Sequence, residues 1–225
     1  MDCLIIAAGF GSRLRAVSPS KPLTPVAGVP LIERVIRAAA EGGATRFTVA
    51  TGHEADRLEA FLEALPFEIA PVRVGDWSLP NGHSVLAGAA RIAGDYLLTM
   101  SDHLFDPEIA AALIAAPPAA LRLAVDRDLA NPLLDMDDVT KVETGEGGAI
   151  VRIGKTLTRF DAADTGLFRA TPALAAAIAA GGGSLSDGVQ RLADQGQAMT
   201  LDVTGRFWLD VDDPAALAKA EARLG

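Results

Sequence analysis

The residues best able to do chemistry open the chain. Leu4-Ile-Ile-Ala-Ala-Gly-Phe-Gly-Ser-Arg-Leu14, followed by Ser20-Lys-Pro-Leu23, places a glycine-rich turn after an apolar run and adds two cations. Gly9 and Gly11 carry no Cβ, so backbone N–H groups there can approach an anion closely, as a polyphosphate cradle requires. Arg13 and Lys21 can then neutralise its charge. Two familiar phosphate motifs do not apply. Leu14 stands where a dinucleotide-binding Gly-x-Gly-x-x-Gly turn needs its third glycine, and no Gly-Lys-Ser/Thr follows the turn after four spacers.

Carboxylates able to hold a hard divalent cation fall in two further segments. Leu98-Thr-Met-Ser-Asp-His103 puts Asp102 just past an apolar, strand-like run, and open α/β sheets bind ligands at such strand ends. An Asp that caps the following helix is the competing reading. Phe207-Trp-Leu-Asp-Val-Asp-Asp-Pro214 offers three carboxylates, the hard oxygen donors that Mg²⁺ requires. Asp213 is better explained as the N-cap of a helix opening at Pro214, while strand alternation points Asp210 and Asp212 to one face. With three histidines and one cysteine, no convincing Ser/His/Asp or Cys/His set for nucleophilic catalysis emerges.

These residues need a scaffold, and the hydrophobic pattern supplies one. The apolar run 3–8 reads as a strand buried on both faces, and 9–25 reads as a long irregular loop. Pro30 opens a helix to about residue 41, with Leu31, Ile32, Val35 and Ile36 as its apolar stripe and Gly42-Gly43 as its stop. Strands at 47–50, 67–74 and 96–100 then alternate with helices at 54–65, 84–92 and 107–115. Such alternation implies an α/β fold with a mostly parallel sheet covered by helices on both faces. Past about residue 120 the rhythm changes. The segments 139–143 and 149–153 flank Gly145-Glu-Gly-Gly148 as a hairpin, and strands at 165–168, 199–203 and 207–211 alternate with helices at 172–180, 186–195 and 213–224. We read these as a smaller mixed α/β lobe on the same sheet, within one domain spanning 1–225.

Composition bounds the partners. The 225 residues can bury one substantial core, and half of them are apolar, which excludes disordered, collagen-like and disulfide-scaffold classes. A net charge of −9 argues against a nucleic-acid face. Residues 1–40 nevertheless hold five basic and two acidic groups, so positive charge gathers at the glycine turn. Only four lysines occur, at 21, 141, 155 and 219, against sixteen arginines, which points to positions where a compact ammonium is wanted, with chance the competing reading and the preferred one for Lys219 on a terminal helix. The lone Cys3 reads as a small buried hydrophobe in a reducing compartment. The opening stretch has no signal-peptide pattern, and the apolar segment 109–125 is broken by Pro117-Pro118 and Arg122. A cytoplasmic protein without membrane insertion is expected.

Gly9-x-Gly11-x-Arg13 followed by Lys21-Pro22 resembles the signature of the sugar-phosphate nucleotidyltransferases. The resemblance implies a Rossmann-like fold, Mg²⁺ as cofactor, and Arg13 and Lys21 as catalytic cations that bind the nucleoside triphosphate and stabilise charge during transfer. It implies Asp102 as the first metal aspartate. The second follows Trp-x in many members, which matches Asp210, while Asp212 fits the related Trp-x-Asp/Glu-x-Asp form; both are candidates, Asp210 first.

Further segments are similar to one branch, the CTP:inositol-1-phosphate cytidylyltransferases. They are Asn81-Gly-His-Ser84, Thr99-Met-Ser-Asp-His103, Thr140-Lys-Val142, Ile153-Gly-Lys-Thr-Leu157, Phe160-Asp161 and Asp164-Thr-Gly-Leu-Phe168. Asn81 and Gly82 are then expected at the nucleobase, with Ala8, Gly9 and Gly11 supplying the first loop's nucleotide contacts. Lys155 is expected at the acceptor phosphate, Lys141 either assists it or pairs with Glu143, and Asp164 accepts hydrogen bonds from ring hydroxyls. Residues 1–120 would form the nucleotide-binding part and 121–225 the acceptor-binding part. His83 departs from the branch, which has an aromatic residue there.

The implied reaction joins the cytidylyl group of CTP to inositol 1-phosphate and releases pyrophosphate. Archaeal relatives often carry a membrane-embedded phosphotransferase after this domain, so a separate membrane protein is expected to use the product. Two other readings stay open: a uridylyl- or guanylyltransferase acting on a sugar 1-phosphate, and a non-catalytic nucleotide-sugar-binding regulator. The full set of Arg13, Lys21, Asp102 and Asp210 counts against the regulator, since a pure binder has no need of it.

Overall fold

The computed structural model describes residues 1–225. Strand β1 (Asp2–Ala7) lies at the centre of a nine-stranded sheet, hydrogen-bonded in parallel to β4 (Arg46–Thr51) on one side and β6 (Tyr96–Met100) on the other. Its two faces feed two different cores. Cys3, Ile5 and Ala7 pack with the buried stripes of α1 (Leu31–Glu41), α2 (Ala55–Glu63), α4 (Pro107–Ala115) and α7 (Pro214–Leu224). Leu4 and Ile6 pack with α3 (Gly82–Ala89), α5 (Pro172–Ala179) and α6 (Leu185–Asp194). A strand covered on both sides has no polar face to alternate with, hence its unbroken apolar run.

Strand β5 (Ile69–Arg73) extends the parallel side beyond β4. On the other side β11 (Ala162–Ala170) runs antiparallel to β6 and carries the C-terminal strands. It pairs with β8 (Leu121–Asp126) and with β9 (Lys141–Thr144), which forms the expected hairpin with β10 (Ile150–Gly154). Strand β12 (Ala198–Asp202) closes this edge in parallel with β8. The result is a mostly parallel mixed sheet between two helical layers, with the strands after residue 120 continuing the sheet of the first half. No helix is long and apolar enough to cross a membrane.

Within the main sheet, the sequence pattern missed β8 and read only part of β11. β8 follows α4 within one apolar stretch and sits between β11 and β12, so neither period nor polarity announces it. Strand β11 has nine residues where only 165–168 read as strand, because it crosses from one set of partners to another.

Two small antiparallel pairs stand outside the main sheet: β2 (Pro25–Val26) with β3 (Val29–Pro30), and β7 (His103–Phe105) with β13 (Trp208–Asp210). The second pair matters for the site. Its register sets Asp210 directly opposite His103, and Val211 N–H donates to the Asp102 carbonyl at 2.9 Å.

Candidate functional site

The glycine loop leaves the C-terminal end of β1 and turns back over Lys21. Gly11 has φ +59°, and a Cβ on it would come within 2.4 Å of the Lys21 Cβ. Glycine is therefore needed both for the left-handed backbone and for the close approach. Lys21 stands at the start of a short 3₁₀ turn, Lys21–Leu23, and is buried. Its ammonium donates to Asp102 Oδ2 and Asp212 Oδ1. Burial opposes its charge, but Asp102, Asp212 and Asp210 more than offset that and raise its pKa above the usual lysine range.

The carboxylates arrive from two elements that meet. Asp102 follows β6, and Asp210 and Asp212 come at and after the end of β13. Ligand atoms of Asp102, His103 and Asp210 lie within 4.8 Å of one another. His103 Nδ1 is 2.8 Å from Asp102 Oδ1 and 3.8 Å from Asp210 Oδ1. That Asp210 oxygen is buried without a hydrogen-bond partner. Asp213 does not join them: it caps α7, accepting from Ala216 N–H at 2.8 Å.

Opposing shifts mark the cluster. Burial would raise the pKa of Asp102, but Lys21 and His103 hold it far below the ordinary carboxylate value. Burial, with Asp102 and Asp212 as like charges, lifts Asp210 to about 6. His103 is penalised by burial yet raised to about 9 by Asp210, Asp102 and Asp164. Hard carboxylate oxygens, one of them orphaned and destabilised in its charged form, make a donor set that fits a divalent cation.

Room for the imidazole is made in β11. The pairing of β11 with β8 shifts register between Asp164 and Phe168, and Gly166 there has φ +78°. A Cβ on Gly166 would come within 2.0 Å of the His103 ring, so the irregularity and its glycine open the strand around the histidine. Gly166 N–H donates to Asp164 Oδ1 at 2.7 Å, and burial raises Asp164 to about 6.

Two adjoining cavities meet at these groups. The smaller, about 380 Å³, is lined by Ala8, Gly9, Gly11, Lys21, Trp77 and Ser84 among others. The larger, about 560 Å³, is lined by His103, Asp138, Thr140, Lys155, Asp164 and Asp210 among others. Arg13, Asn81, Met100, Asp102 and Asp212 line both.

Two candidates stand off the cavities. Gly82 is the buried first residue of α3, where a Cβ would meet the Gly183 carbonyl at 2.2 Å. Lys141 donates to the Lys155 carbonyl at 2.9 Å and lies over the Phe160 ring. It does not pair with Glu143, because Arg152 sits directly opposite Glu143 across the hairpin and takes that carboxylate at 2.7 Å.

Two residues at the site were not anticipated. His103 had only its place after Asp102 to signal it. Asp138, from the irregular segment between β8 and β9, bridges Arg13 at 2.7 Å and Lys155, and these two cations hold its pKa near 2.

Comparison with known proteins places this geometry. The chain is 34% identical over 224 residues to a bifunctional IPC transferase and DIPP synthase of Rubrobacter xylanophilus, covering 96% of this chain and 50% of that protein. A protein of the same name from Aquifex aeolicus is 30% identical over 225 residues, covering 98% of this chain and 51% of its own length. The chain thus spans about half the length of these relatives. The fold is shared with the solved inositol-1-phosphate CTP transferase from T. maritima, at a TM-score of 0.86 and 24% identity over 100% of this chain and 97% of that one. The profile of the MobA-like NTP transferase domain matches residues 3–141. Since that match takes in the glycine loop, Lys21 and Asp102, the chain belongs to the MobA-like NTP transferase domain family.

Proposed function

We propose that this protein transfers the cytidylyl group of CTP to inositol 1-phosphate and releases pyrophosphate, with Mg²⁺ as cofactor. The observation that carries this reading is the pair of cavities meeting at Arg13, Asp102 and Asp212. A transferase with two phosphorylated substrates needs two seats and one shared charged wall. The cavity beside the glycine loop suits the nucleotide. The cavity holding Lys155 and Asp164 suits the acceptor, so the division into residues 1–120 and 121–225 belongs to the same proposal. The names of the similar proteins support the substrate pair.

An oxygen of the acceptor phosphate attacks the α-phosphorus, a new P–O bond forms, and the bond to the pyrophosphate leaving group breaks. No general base is required, because a phosphate monoester is largely ionised near neutrality. Lys21 and Arg13 bind the triphosphate and stabilise charge that builds during displacement. Lys155 holds the acceptor phosphate, and Asp164 accepts hydrogen bonds from ring hydroxyls. His103 positions Asp102 through its Nδ1 contact. Asp102 and Asp210, with Asp212 beside them, would hold Mg²⁺, which would supply Lewis-acid stabilisation of the phosphate oxygens. A separate membrane phosphotransferase that uses the product, and a cytoplasmic setting, complete the proposal.

Pyrophosphate release over a grid of CTP, UTP, GTP and ATP against inositol 1-phosphate and hexose 1-phosphates tests it. The expected maximum is CTP with inositol 1-phosphate. A maximum with UTP or GTP and a hexose 1-phosphate would replace the substrate pair. Nucleotide-sugar binding with no release in any cell of the grid would make the protein a regulator.

A further inference from the structure

We infer that Trp77 is the platform on which the nucleobase stacks, an inference that rests on the nucleotide reading of the smaller cavity. A nucleoside triphosphate is anionic at one end and flat and aromatic at the other. The cavity has both kinds of lining. Arg13 and Lys21 supply its cationic part beside the backbone of Gly9 and Gly11, and Trp77 and Leu79 supply an apolar part. The acceptor-side cavity lacks Trp77 and Leu79.

Trp77 is one of few large apolar side chains left in the open, with 40% of its surface exposed, whereas the other tryptophan, Trp208, is 4% exposed. The exposed ring is not loose. Its plane lies 6° from that of Phe10, with centroids 5.8 Å apart, and His53 meets it edge-on at 5.2 Å. Phe10 and His53 also contact each other, at 4.7 Å. The Arg15 guanidinium covers Phe10 at 4.4 Å. A Cβ on Gly52 would come within 2.7 Å of the Trp77 Cβ and 2.8 Å of the Ala8 carbonyl oxygen, so this backbone is packed closely against the base of the Trp77 side chain and the first loop. Asp76 Oδ1 accepts from both Ser78 N–H and Ser78 Oγ, which fixes the turn that presents it.

An indole braced by two other rings and exposed at a cavity is set up for stacking. Phe10 sits between Gly9 and Gly11, so the ring that backs Trp77 belongs to the phosphate loop itself. Base seat and phosphate seat are therefore one packed unit. Stacking of a base on an aromatic side chain is worth about five- to 150-fold in affinity, with little dependence on which base it is. Trp77 would tighten nucleotide binding as a class and leave base choice to polar groups nearby.

The test uses the full chain with Mg²⁺, titrated with CTP and separately with inorganic tripolyphosphate, which carries the phosphates without a base. Tryptophan emission and its quenching by acrylamide are read together with affinity. CTP is expected to shield Trp77 from acrylamide, and tripolyphosphate to compete with CTP without shielding it. Trp77→Ala is expected to weaken CTP about tenfold and tripolyphosphate by less than about twofold, and Trp77→Phe to recover most of the loss. Retained tripolyphosphate binding shows that each variant keeps its site. Unchanged CTP affinity in Trp77→Ala, or equal losses for both ligands, would overturn the stacking role alone. Emission that tracks protein concentration and ignores bound CTP would assign the ring to a contact between copies and likewise overturn it. Wild-type protein that binds neither ligand would overturn the nucleotide reading beneath it.

Discussion

Replacing Lys21 by alanine separates two jobs that the same ammonium performs. In the free protein Lys21 is 9% exposed and bridges Asp102 and Asp212, whose side chains are 17% and 27% exposed. Breaking a buried ion pair from one side costs about 3–5 kcal/mol. Water reaches Asp212 here, so the cost falls toward about 2–3 kcal/mol. At about 2–4 °C per kcal/mol for a domain of this size, Lys21→Ala lowers Tm by about 4–12 °C. The deficit is one of charge, so saturating Mg²⁺ stabilises the variant more than it stabilises the wild type. Turnover falls about 10²–10³-fold, as for loss of one transition-state donor, and Mg²⁺ does not restore it. Thermal unfolding with and without Mg²⁺, set beside pyrophosphate release, reads both effects. Wild-type turnover would refute the role in transfer, an unchanged Tm would refute the structural pairing, and equal Mg²⁺ stabilisation of both proteins would refute a shared carboxylate seat.

Asp210→Asn removes the orphaned carboxylate oxygen, so it raises the Mg²⁺ concentration for half-maximal turnover by about tenfold or more. Asp212→Asn, which takes one carboxylate partner from each of Lys21 and Arg13, acts mainly on kcat; equal Mg²⁺ shifts in the two variants would refute this division. His103, with its pKa raised to about 9 from an ordinary 6.5, contributes stability that is fully present below about pH 6.5 and lost as pH rises through about 9. In metal-free protein the Tm deficit of His103→Gln is therefore largest near pH 6 and fades toward about pH 10, and a deficit independent of pH would refute the imidazolium. Asp213→Ala loses an N-cap worth about 1 kcal/mol, which lowers Tm by about 2–4 °C while the Mg²⁺ dependence of turnover stays as in the wild type. Gly11→Ala drives a Cβ into the Lys21 Cβ at a left-handed position, so kcat falls at least about tenfold; unaffected turnover would refute the need for that contact.

Local pattern revealed whatever local physics determines. The run 3–8, the strand Tyr96–Met100 and the helix Pro107–Ala115 were legible because full burial, a turn of glycines or a proline at the first helical position writes itself into neighbouring residues. The glycine loop with Arg13 and Lys21 was legible for the same reason. His103 became part of the site only through the pairing of β13, which falls inside the expected strand 207–211, with β7, a three-residue strand far away in the chain that no periodicity announces. Gly166 looks like an ordinary glycine until the ring it accommodates, from a distant segment, is set against it. Asp138 lies in a stretch without regular structure, among Asp135 and Asp137, where nothing in the spacing distinguishes one carboxylate from the next. The Lys141–Glu143 pair failed for a register reason: the strand opposite supplied an arginine first.

What joins these late arrivals to the legible residues is a chain of charge: Lys155 to Asp138 to Arg13 to Asp212 to Lys21 to Asp102 to His103. Every cation assigned to a phosphate already holds a carboxylate. This is how a protein of net charge −9 keeps anion-binding cations in position while its sites are free. The links differ in strength along the chain. Arg13 and Lys155 are about half exposed, at 48% and 55%, and ion pairs in such settings contribute at most about 1 kcal/mol, so both can exchange Asp138 for a phosphate at small cost. Lys21 is buried, and withdrawing it from Asp102 and Asp212 costs several times more, since Asp102 keeps only His103 and Asp212 only Arg13. Its ammonium can turn from those carboxylates to a phosphate only when another cation replaces it there. In the proposed reaction, the gradient from exposed to buried pairs would make the acceptor end of the site easy to open and tie the nucleotide end to the arrival of a metal.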